Sequence, residues 1–212
     1  MVTNITGDIL TAGIDVDGVL GNFNEPYVRL LRDMHGDRFG DINWDVFPAS
    51  WSYDADAGYT EAQIDQAWAE IAASPSFWGS QLPLHSDMYN ILSTLSRLRH
   101  QGHNVYFVTA RPGRTAKLQT ENWLRSYGME LPTVIVSGNK ALYAVDLKMD
   151  VYVDDRIENA HDVLWALCED DPKLTRNFRV YLVDRPYNRV ERDPSLIVVP
   201  DIKAVLAAEG WK

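Results

Sequence analysis

Two apolar periods alternate along this chain. Dense apolar runs at positions 10–16, 104–109, 133–137, 151–153 and 179–183 have the length and composition of buried strands. Between them the apolar residues recur at helical spacing. Met88, Ile91, Leu92, Leu95 and Leu98 lie three or four residues apart and stop at Gly102, a residue suited to a helix C-cap. The same spacing predicts helices over 115–127, closed by Gly128, and over 139–147, 157–168 and 201–208, the last with Ile202, Val205 and Leu206 on one face. Strands alternating with helices predict an α/β fold built as a three-layer, mostly parallel sheet.

A long detour separates the first two predicted strands, and positions 22–82 read as an insertion after the first. The insertion holds one predicted helix at 27–34 and a second beginning at Thr60, with Gln63 three residues on as in a capping box. Trp44, Phe47, Trp51 and Tyr53 fall between them. The expected organisation is a small helical cap at 22–82 over a core made of 1–21 and 83–212. There is no internal repeat or low-complexity tract. The acidic run Glu169-Asp170-Asp171, followed by Pro172, reads as a solvated loop.

With 212 residues, 46% of them hydrophobic, the chain suits one globular domain with a small subdomain. Positions 1–10 lack a basic stretch followed by an apolar run, and nowhere do about 18 uncharged apolar residues occur in a row. A soluble, unexported, cytoplasmic protein is expected, in which the Asn4-Ile5-Thr6 sequon carries no meaning. The single cysteine, Cys168, excludes an intramolecular disulfide and a thiolate metal cluster and suits a reducing compartment. Spaced helically with Ile157, Ala160, Leu164 and Leu167, it reads as a small core residue. Thirty acidic against 20 basic residues give a formal net charge of −10. That balance, without a long Lys/Arg run, argues against duplex nucleic acid, whose binding draws on phosphate neutralisation. A small anionic substrate fits if Arg111, Arg114, Lys140 and Arg156 gather locally.

Polar residues stand where the apolar runs stop. The segments are Ile14-Asp15-Val16-Asp17-Gly18-Val19-Leu20, Phe107-Val108-Thr109-Ala110-Arg111, Ser137-Gly138-Asn139-Lys140 and Val151-Tyr152-Val153-Asp154-Asp155-Arg156. In open α/β sheets ligands bind at the carboxyl ends of the strands, so four such ends can converge on one substrate. Each segment alone has a plain reading. Asp15 and Asp17 suit a turn, Thr109 a strand-end hydroxyl, Lys140 a solvated surface, and Asp154 and Asp155 the cap of the following helix. Together, in this order, they resemble the motifs of the haloacid dehalogenase superfamily of aspartate-nucleophile phosphatases: D-x-D-G, then Thr or Ser, then Lys, then an acidic pair. The resemblance implies a Rossmann-like sheet with a C1-type cap after the first strand.

A phosphomonoester is attacked in line while the charge on its oxygens is held. The resemblance makes Asp15 the nucleophile that forms an aspartyl-phosphate and Asp17 the acid and base. Thr109 then donates its hydroxyl to a phosphoryl oxygen, with the backbone at Ala110 and the cation of Arg111 beside it. Lys140 offsets the charge of Asp15 and the phosphate. Lys148 lies closer to the acidic pair and is the rival, but Lys140 follows a strand and opens a helix, as the family's lysine does. Carboxylates at this density call for a cation, and Mg²⁺ prefers oxygen ligands. Its ligands would be Asp15, the backbone carbonyl of Asp17, and Asp154 or Asp155, with the resemblance leaning to Asp155.

None of the five histidines has metal-site spacing, and Ser74, Ser76 and Ser80 lack the setting of a serine nucleophile. His85 and His161 read as surface or capping residues. A narrower resemblance, over nearly the whole chain, is to the 5′(3′)-deoxyribonucleotidase branch. It rests on the spacing of Phe23 from the aspartates, on Pro75-Ser76-Phe77-Trp78 with Leu82-Pro83-Leu84, and on Asp155-Arg156 and Arg185-Pro186-Tyr187-Asn188-Arg189. It implies a Mg²⁺-dependent phosphatase of deoxynucleoside 5′-monophosphates, with Phe23, Phe77 and Trp78 as a base pocket and Arg156 as a further substrate contact. Stacking of this kind contributes about 1–3 kcal/mol per base, although the same aromatics equally suit a weld between insertion and core. Two features depart from that branch: Thr109 is followed by Ala110-Arg111-Pro112 rather than Ser-Pro, and the Lys140 to Asp154 spacing is longer. The expected partner is a small phosphorylated molecule, with neither duplex nor membrane; the oligomeric state stays open. A phosphatase of nucleic-acid 3′ ends and a catalytically silent nucleotide-binding module are the competing functions.

Overall fold

The computed structural model describes residues 9–43, 47–171, 173, 177–189 and 193–211; Asn4-Ile5-Thr6, Trp44 and Pro172 lie outside them. Strand β1 (Thr11–Ile14) leads through a tight turn into the two-residue β2 (Gly21–Asn22). Helices α1 (Asn24–His35), α2 (Tyr53–Asp56) and α3 (Glu61–Ala73) follow, then a 3₁₀ turn at Phe77–Gly79. The chain returns through β3 (Leu82–Pro83), which pairs antiparallel with β2, Asn22 opposite Leu82. From there helix and strand alternate: α4 (Met88–His100), β4 (Asn104–Thr109), α5 (Ala116–Ser126), β5 (Thr133–Val136), α6 (Lys140–Asp146) and β6 (Val151–Asp154). The last elements are α7 (Ile157–Asp170), β7 (Arg179–Val183), a 3₁₀ turn at Pro186–Asn188, β8 (Ile197–Val199) and α8 (Ile202–Ala208).

The sheet has the order β5-β4-β1-β6-β7-β8 with every neighbouring pair parallel. The chain winds outward from β1 through β4 and β5, then crosses to β6 on the other side. The topological switch point therefore lies at β1, where ligands bind in such sheets. Register aligns Ile14 with both Phe107 and Val153, so the residues that follow β1, β4 and β6 emerge at one edge.

Alternation along the strands divides the core into two layers. Ala12, Ile14, Val105, Phe107, Val151, Val153, Tyr181 and Val183 pack with the apolar faces of α4 and α8 and with Trp123 and Leu124 of α5. Val108, Tyr152, Val180 and Leu182 pack with Ala144 of α6 and Ala160, Val163 and Leu167 of α7. Helices on both faces give the three-layer arrangement that the sequence predicts. A third cluster belongs to the segment between β2 and β3, where Phe23, Tyr27, Leu31, Tyr59, Ala67, Ile71 and Trp78 bury one another against Ala116 of α5.

Helix α3 starts with the predicted capping box: the Gln63 amide donates to Thr60 Oγ1 at 3.4 Å, and the Thr60 amide to Gln63 Oε1 at 3.1 Å. Its other end meets the loop after β4 at Gly113, whose φ is +113° and where a Cβ would stand 2.6 Å from the Ala72 carbonyl oxygen. Only glycine admits that approach.

Several elements differ from the sequence reading. Strand β1 is shorter than its apolar run because the chain folds back at Val16, whose carbonyl accepts from the amides of Leu20 and Gly21. Strand β8 is too short to show as a run, and β2, β3 and α2 are likewise invisible in the pattern. Glu169 and Asp170 continue α7 rather than forming a loop. Cys168 is half-buried, not a core residue, because it lies about 100° around the helix from the buried Leu167. Among the described residues no helix is long and apolar enough to cross a membrane.

Candidate active site

Asp15 extends β1 by one residue, its amide donating to the Val153 carbonyl of β6 at 2.9 Å. The turn that follows requires Gly18. Its φ is +76°, and a Cβ there would stand 2.0 Å from Asp155 Oδ2, so the glycine of the D-x-D-G segment is what lets the first and fourth segments meet. Lys140 opens α6, whose N-cap Asn139 accepts the Leu142 amide at 3.1 Å. The lysine Nζ lies 2.9 Å from Asp15 Oδ2 and 2.7 Å from Asp154 Oδ2, with all three side chains buried. Lys148 is exposed, at a φ of +51°, just after α6. Of the two candidate lysines, it is Lys140 that reaches the aspartates.

Asp154 and Asp155, adjacent in sequence, have unlike surroundings. Asp154 Oδ2 accepts from Lys140 Nζ and, at 2.7 Å, from the Tyr152 hydroxyl; its Oδ1 accepts from the Arg156 amide at 2.9 Å and from Asn159 Nδ2 at 3.1 Å. Two donors on each oxygen fill the capacity of a carboxylate. Asp155 receives the Tyr187 hydroxyl on Oδ2, while its backbone carbonyl accepts from Asn188 Nδ2 at 2.7 Å. Burial and the neighbouring carboxylates hold both tyrosine hydroxyls well above their ordinary pKa, so they remain donors.

One oxygen from each of Asp15, Asp154 and Asp155 lies within 4.8 Å of the others, all buried. Burial raises the Asp15 carboxyl well above the usual range; Lys140 opposes this, and Asp154, Asp155 and Asp17 add to it. Burial and then Asp154 push Asp155 up to about 7, against the pull of Tyr187, Lys140 and Arg185. Burial works against the charge of Lys140 too, but Asp15 and Asp154 overturn it and hold the ammonium well above its usual range. One lysine cannot balance three buried carboxylates, so an all-oxygen donor set with excess negative charge remains, and it fits a hard divalent cation. The donor-saturated Asp154 is the poorest ligand of the three. Of the three carboxylates, Asp15 and Asp155 are therefore the better suited to hold it.

A thermal consequence follows. A carboxyl whose folded pKa exceeds the unfolded value of about 4 favours the fold when protonated. In metal-free protein, that contribution from Asp155 is present below about pH 4 and is lost as pH rises through about 7. Protons and cation compete for the same oxygens. Saturating Mg²⁺ is expected to raise Tm by about 5–10 °C at pH 8, the size of about 2.7 kcal/mol at a hundredfold excess over Kd. The rise at pH 5.5 is expected to be much smaller, and absent in Asp155→Asn at either pH; calorimetry with and without chelator reads both.

Above this floor lies a cavity of about 320 Å³. Its lining combines Asp15, Asp17, Thr109, Arg111, Lys140, Asp155 and Arg156 with the aromatic rings of Phe23, Trp51, Trp68 and Trp78. Thr109 is buried, with Oγ1 3.4 Å from Asp17 Oδ2. Ala110 is exposed at the cavity wall. Arg156 reaches the rim with its guanidinium carbon 4.5 Å from the Trp51 ring centroid. Phe77 packs edge-on behind Phe23 and Trp78 rather than lining the cavity. Trp78 lines the cavity, and its Nε1 donates to the Pro112 carbonyl at 2.9 Å while its amide donates to Gln119 Oε1 at 2.9 Å. Trp51 and Trp68 escape the sequence reading as wall residues because nothing local marks which face of the insertion turns inward. Arg114 is exposed and His85 is tied to the Val19 carbonyl; neither faces this cavity, and nor does His161.

Arg111 also lines this cavity, and its side chain, wholly buried, forks onto Asp17 rather than standing as a free cation. A second cavity of about 450 Å³, between α1 and the Phe39 to Tyr53 segment, is larger but holds none of the strand-end aspartates or Lys140. Asp15, Asp17, Asp155 and Lys140 line the smaller one.

No protein-family model and no curated protein sequence matches the chain. Solved structures match it in fold. A haloacid dehalogenase-like hydrolase from Streptococcus pneumoniae superposes with a TM-score of 0.56 at 9% identity, over 94% of this chain and 98% of that one. A haloacid dehalogenase family hydrolase from Deinococcus radiodurans, with bound phosphate and sodium, gives 0.55 at 13% identity over 95% of each chain. A predicted phosphoglycolate phosphatase from Haemophilus somnus gives 0.52 at 13% identity over 96% of this chain and 99% of that one. The six-stranded parallel sheet is thus the fold of haloacid dehalogenase-type hydrolases. At these identities the likeness is one of fold, and it does not single out the deoxyribonucleotidase branch.

Proposed function

We propose that this chain is a divalent-cation-dependent phosphomonoesterase of deoxynucleoside 5′-monophosphates, with Mg²⁺ as the physiological cation. The observation that carries the chemistry is Asp15, ion-paired to Lys140 and beside Asp155, on the floor of a cavity with an aromatic wall. In the first step an Asp15 oxygen attacks phosphorus, the ester P–O bond breaks, and Asp17 gives its proton to the departing 5′-oxygen. In the second, water attacks the aspartyl-phosphate, Asp17 takes the water proton, and Asp15 and inorganic phosphate are released. Lys140 holds charge that would otherwise build up between nucleophile and phosphoryl group. Thr109 offers its hydroxyl beside Asp17. A cation held by Asp15, Asp155 and the Asp17 carbonyl would supply the remaining neutralisation of the phosphoryl oxygens.

The nucleotide assignment rests on Phe23, Trp51, Trp68 and Trp78, which offer flat apolar surface about a cavity sized for a small ligand. A sugar phosphate would use hydroxyl-binding groups in place of that surface. The acidic balance favours a free nucleotide over a long nucleic acid.

Phosphate release from deoxynucleotides, ribonucleotides, sugar phosphates and a 3′-phosphorylated oligonucleotide, with Mg²⁺ or chelator, tests this reading. Mg²⁺-dependent release is expected to be fastest from deoxynucleoside 5′-monophosphates. Trp68→Ala is expected to raise their KM about tenfold, the size of one lost stacking contact, while changing sugar phosphate hydrolysis little. A sugar phosphate or the oligonucleotide as best substrate would overturn the nucleotide assignment. Silence on every ester would favour a binding role.

A further inference from the structure

We infer that Arg111 is a positioning residue for Asp17, fixing the carboxylate plane from which the proton is delivered to the leaving group. This rests on the reading of Asp17 as acid and base. Arg111 Nε donates to Asp17 Oδ2 at 2.9 Å and Nη2 to Asp17 Oδ1 at 2.8 Å, the two-pronged geometry that orients a carboxylate as well as pairing with it. The guanidinium is itself immobilised. Nη1 donates to Thr120 Oγ1 at 2.9 Å, Nη2 also donates to Gln81 Oε1 at 2.5 Å, and the guanidinium carbon lies 4.9 Å from the Trp78 ring centroid. Thr120 Oγ1 donates onward to the Ala116 carbonyl at 2.8 Å, which leaves its lone pairs for Arg111.

The exposures divide the roles. Both residues line the cavity, but the Arg111 side chain is 0% exposed and that of Asp17 20%, so the aspartate is open to solvent and ligand while the arginine is covered. A buried cation adds little net stability over a hydrophobic residue of similar size, and orientation is what the pairing supplies. The anchors also join two parts of the chain. Trp78 and Gln81 lie on the stretch returning from the helical segment, and Thr120 lies on α5, so Asp17 is oriented by the junction between them. Because the proton goes to the departing oxygen, loss of this orientation penalises poor leaving groups selectively. An alkoxide needs the proton, and a dinitrophenolate departs without it.

The test measures first-turnover leaving-group release, which isolates the step in which Asp17 acts as acid. A deoxynucleoside 5′-monophosphate is compared with 2,4-dinitrophenyl phosphate in the parent, Asp17→Asn, Arg111→Gln, Arg111→Lys and the double variant. Arg111→Gln is expected to slow the nucleotide about a hundredfold, within the range of general acid catalysis, and the dinitrophenyl ester less than about threefold. Arg111→Lys, charged but unable to fork, is expected to recover only part of the loss. The double variant is expected to match Asp17→Asn, as residues acting through one another do. Thr120→Val, which removes an anchor without touching Asp17, is expected to show the same selectivity at smaller size and keeps the test open if Arg111→Gln folds poorly. Equal slowing of both esters in Arg111→Gln, or additive losses in the double variant, would overturn the inference while leaving the phosphatase reading intact. Absence of leaving-group selectivity in Asp17→Asn would instead remove the acid assignment, and the inference with it.

Discussion

Replacing Asp15 with asparagine is expected to lower phosphate release by at least about 10⁴-fold without loss of stability. The activity loss follows because the amide lacks the nucleophilic oxygen anion, and a two-step displacement has no first step without its nucleophile. Stability is the less obvious half. Asp15 is buried with Asp154 and Asp155, and burial together with those charges disfavours its ionised form despite the Lys140 contact. A neutral side chain of the same shape removes that repulsion, while Lys140 keeps its 2.7 Å pairing to Asp154. Comparing kcat by phosphate release with Tm by calorimetry checks both halves. An inactive variant that also melts far below the parent would point to structural damage rather than to a lost nucleophile.

Lys140→Met, by contrast, is expected to cost stability as well as activity. Removing the partner of buried charges costs about 3–5 kcal/mol, and losing a preorganised charge at the reacting group costs about 10²–10³-fold in kcat. The pH dependence carries the sign. Lys140 holds the Asp15 pKa down, so its removal raises that pKa and moves the acid limb of the activity profile to higher pH. With its own pKa raised, Lys140 contributes stability that is complete below the unfolded value of about 10.4 and is lost only above it. Variation of the stability loss between pH 5 and pH 8 therefore comes from the carboxylates. These take up protons at pH 5 once the lysine is gone, so the loss is expected to be larger at pH 8. Thermal melts at the two values and a kcat–pH profile measure it.

The fold was legible because β1, β4, β6 and β7 are buried strands and β5 a partly buried edge strand, all written as dense apolar runs, and α4, α5, α7 and α8 each bury one periodic face. Strands β2, β3 and β8 are too short to leave such a trace. The strand-end residues were legible for the same reason. Asp15, Thr109 and Asp154 follow or end runs that the parallel register aligns, and Gly18 announces the turn. What sequence spacing does not encode is direction. Arg111 counts as a cation by the site, yet its guanidinium points back to Asp17. Tyr152 reads as a core strand residue, yet its hydroxyl fills Asp154, and that makes Asp154 and Asp155 unequal. Trp68 comes to the cavity through the packing of α3, and Trp51 through its contacts with Tyr187 and Arg156 far along the chain, which no local pattern specifies.

Trapping the covalent intermediate tests the central claim most directly. The parent protein, mixed with Mg²⁺ and a deoxynucleoside 5′-monophosphate and quenched in acid within its first turnover, is digested and analysed by mass spectrometry. A phosphoryl group on Asp15, lost on treatment with hydroxylamine, is the predicted result. Release of phosphate with no modified peptide, or with the phosphoryl group on another residue, would contradict the assignment of Asp15 as nucleophile.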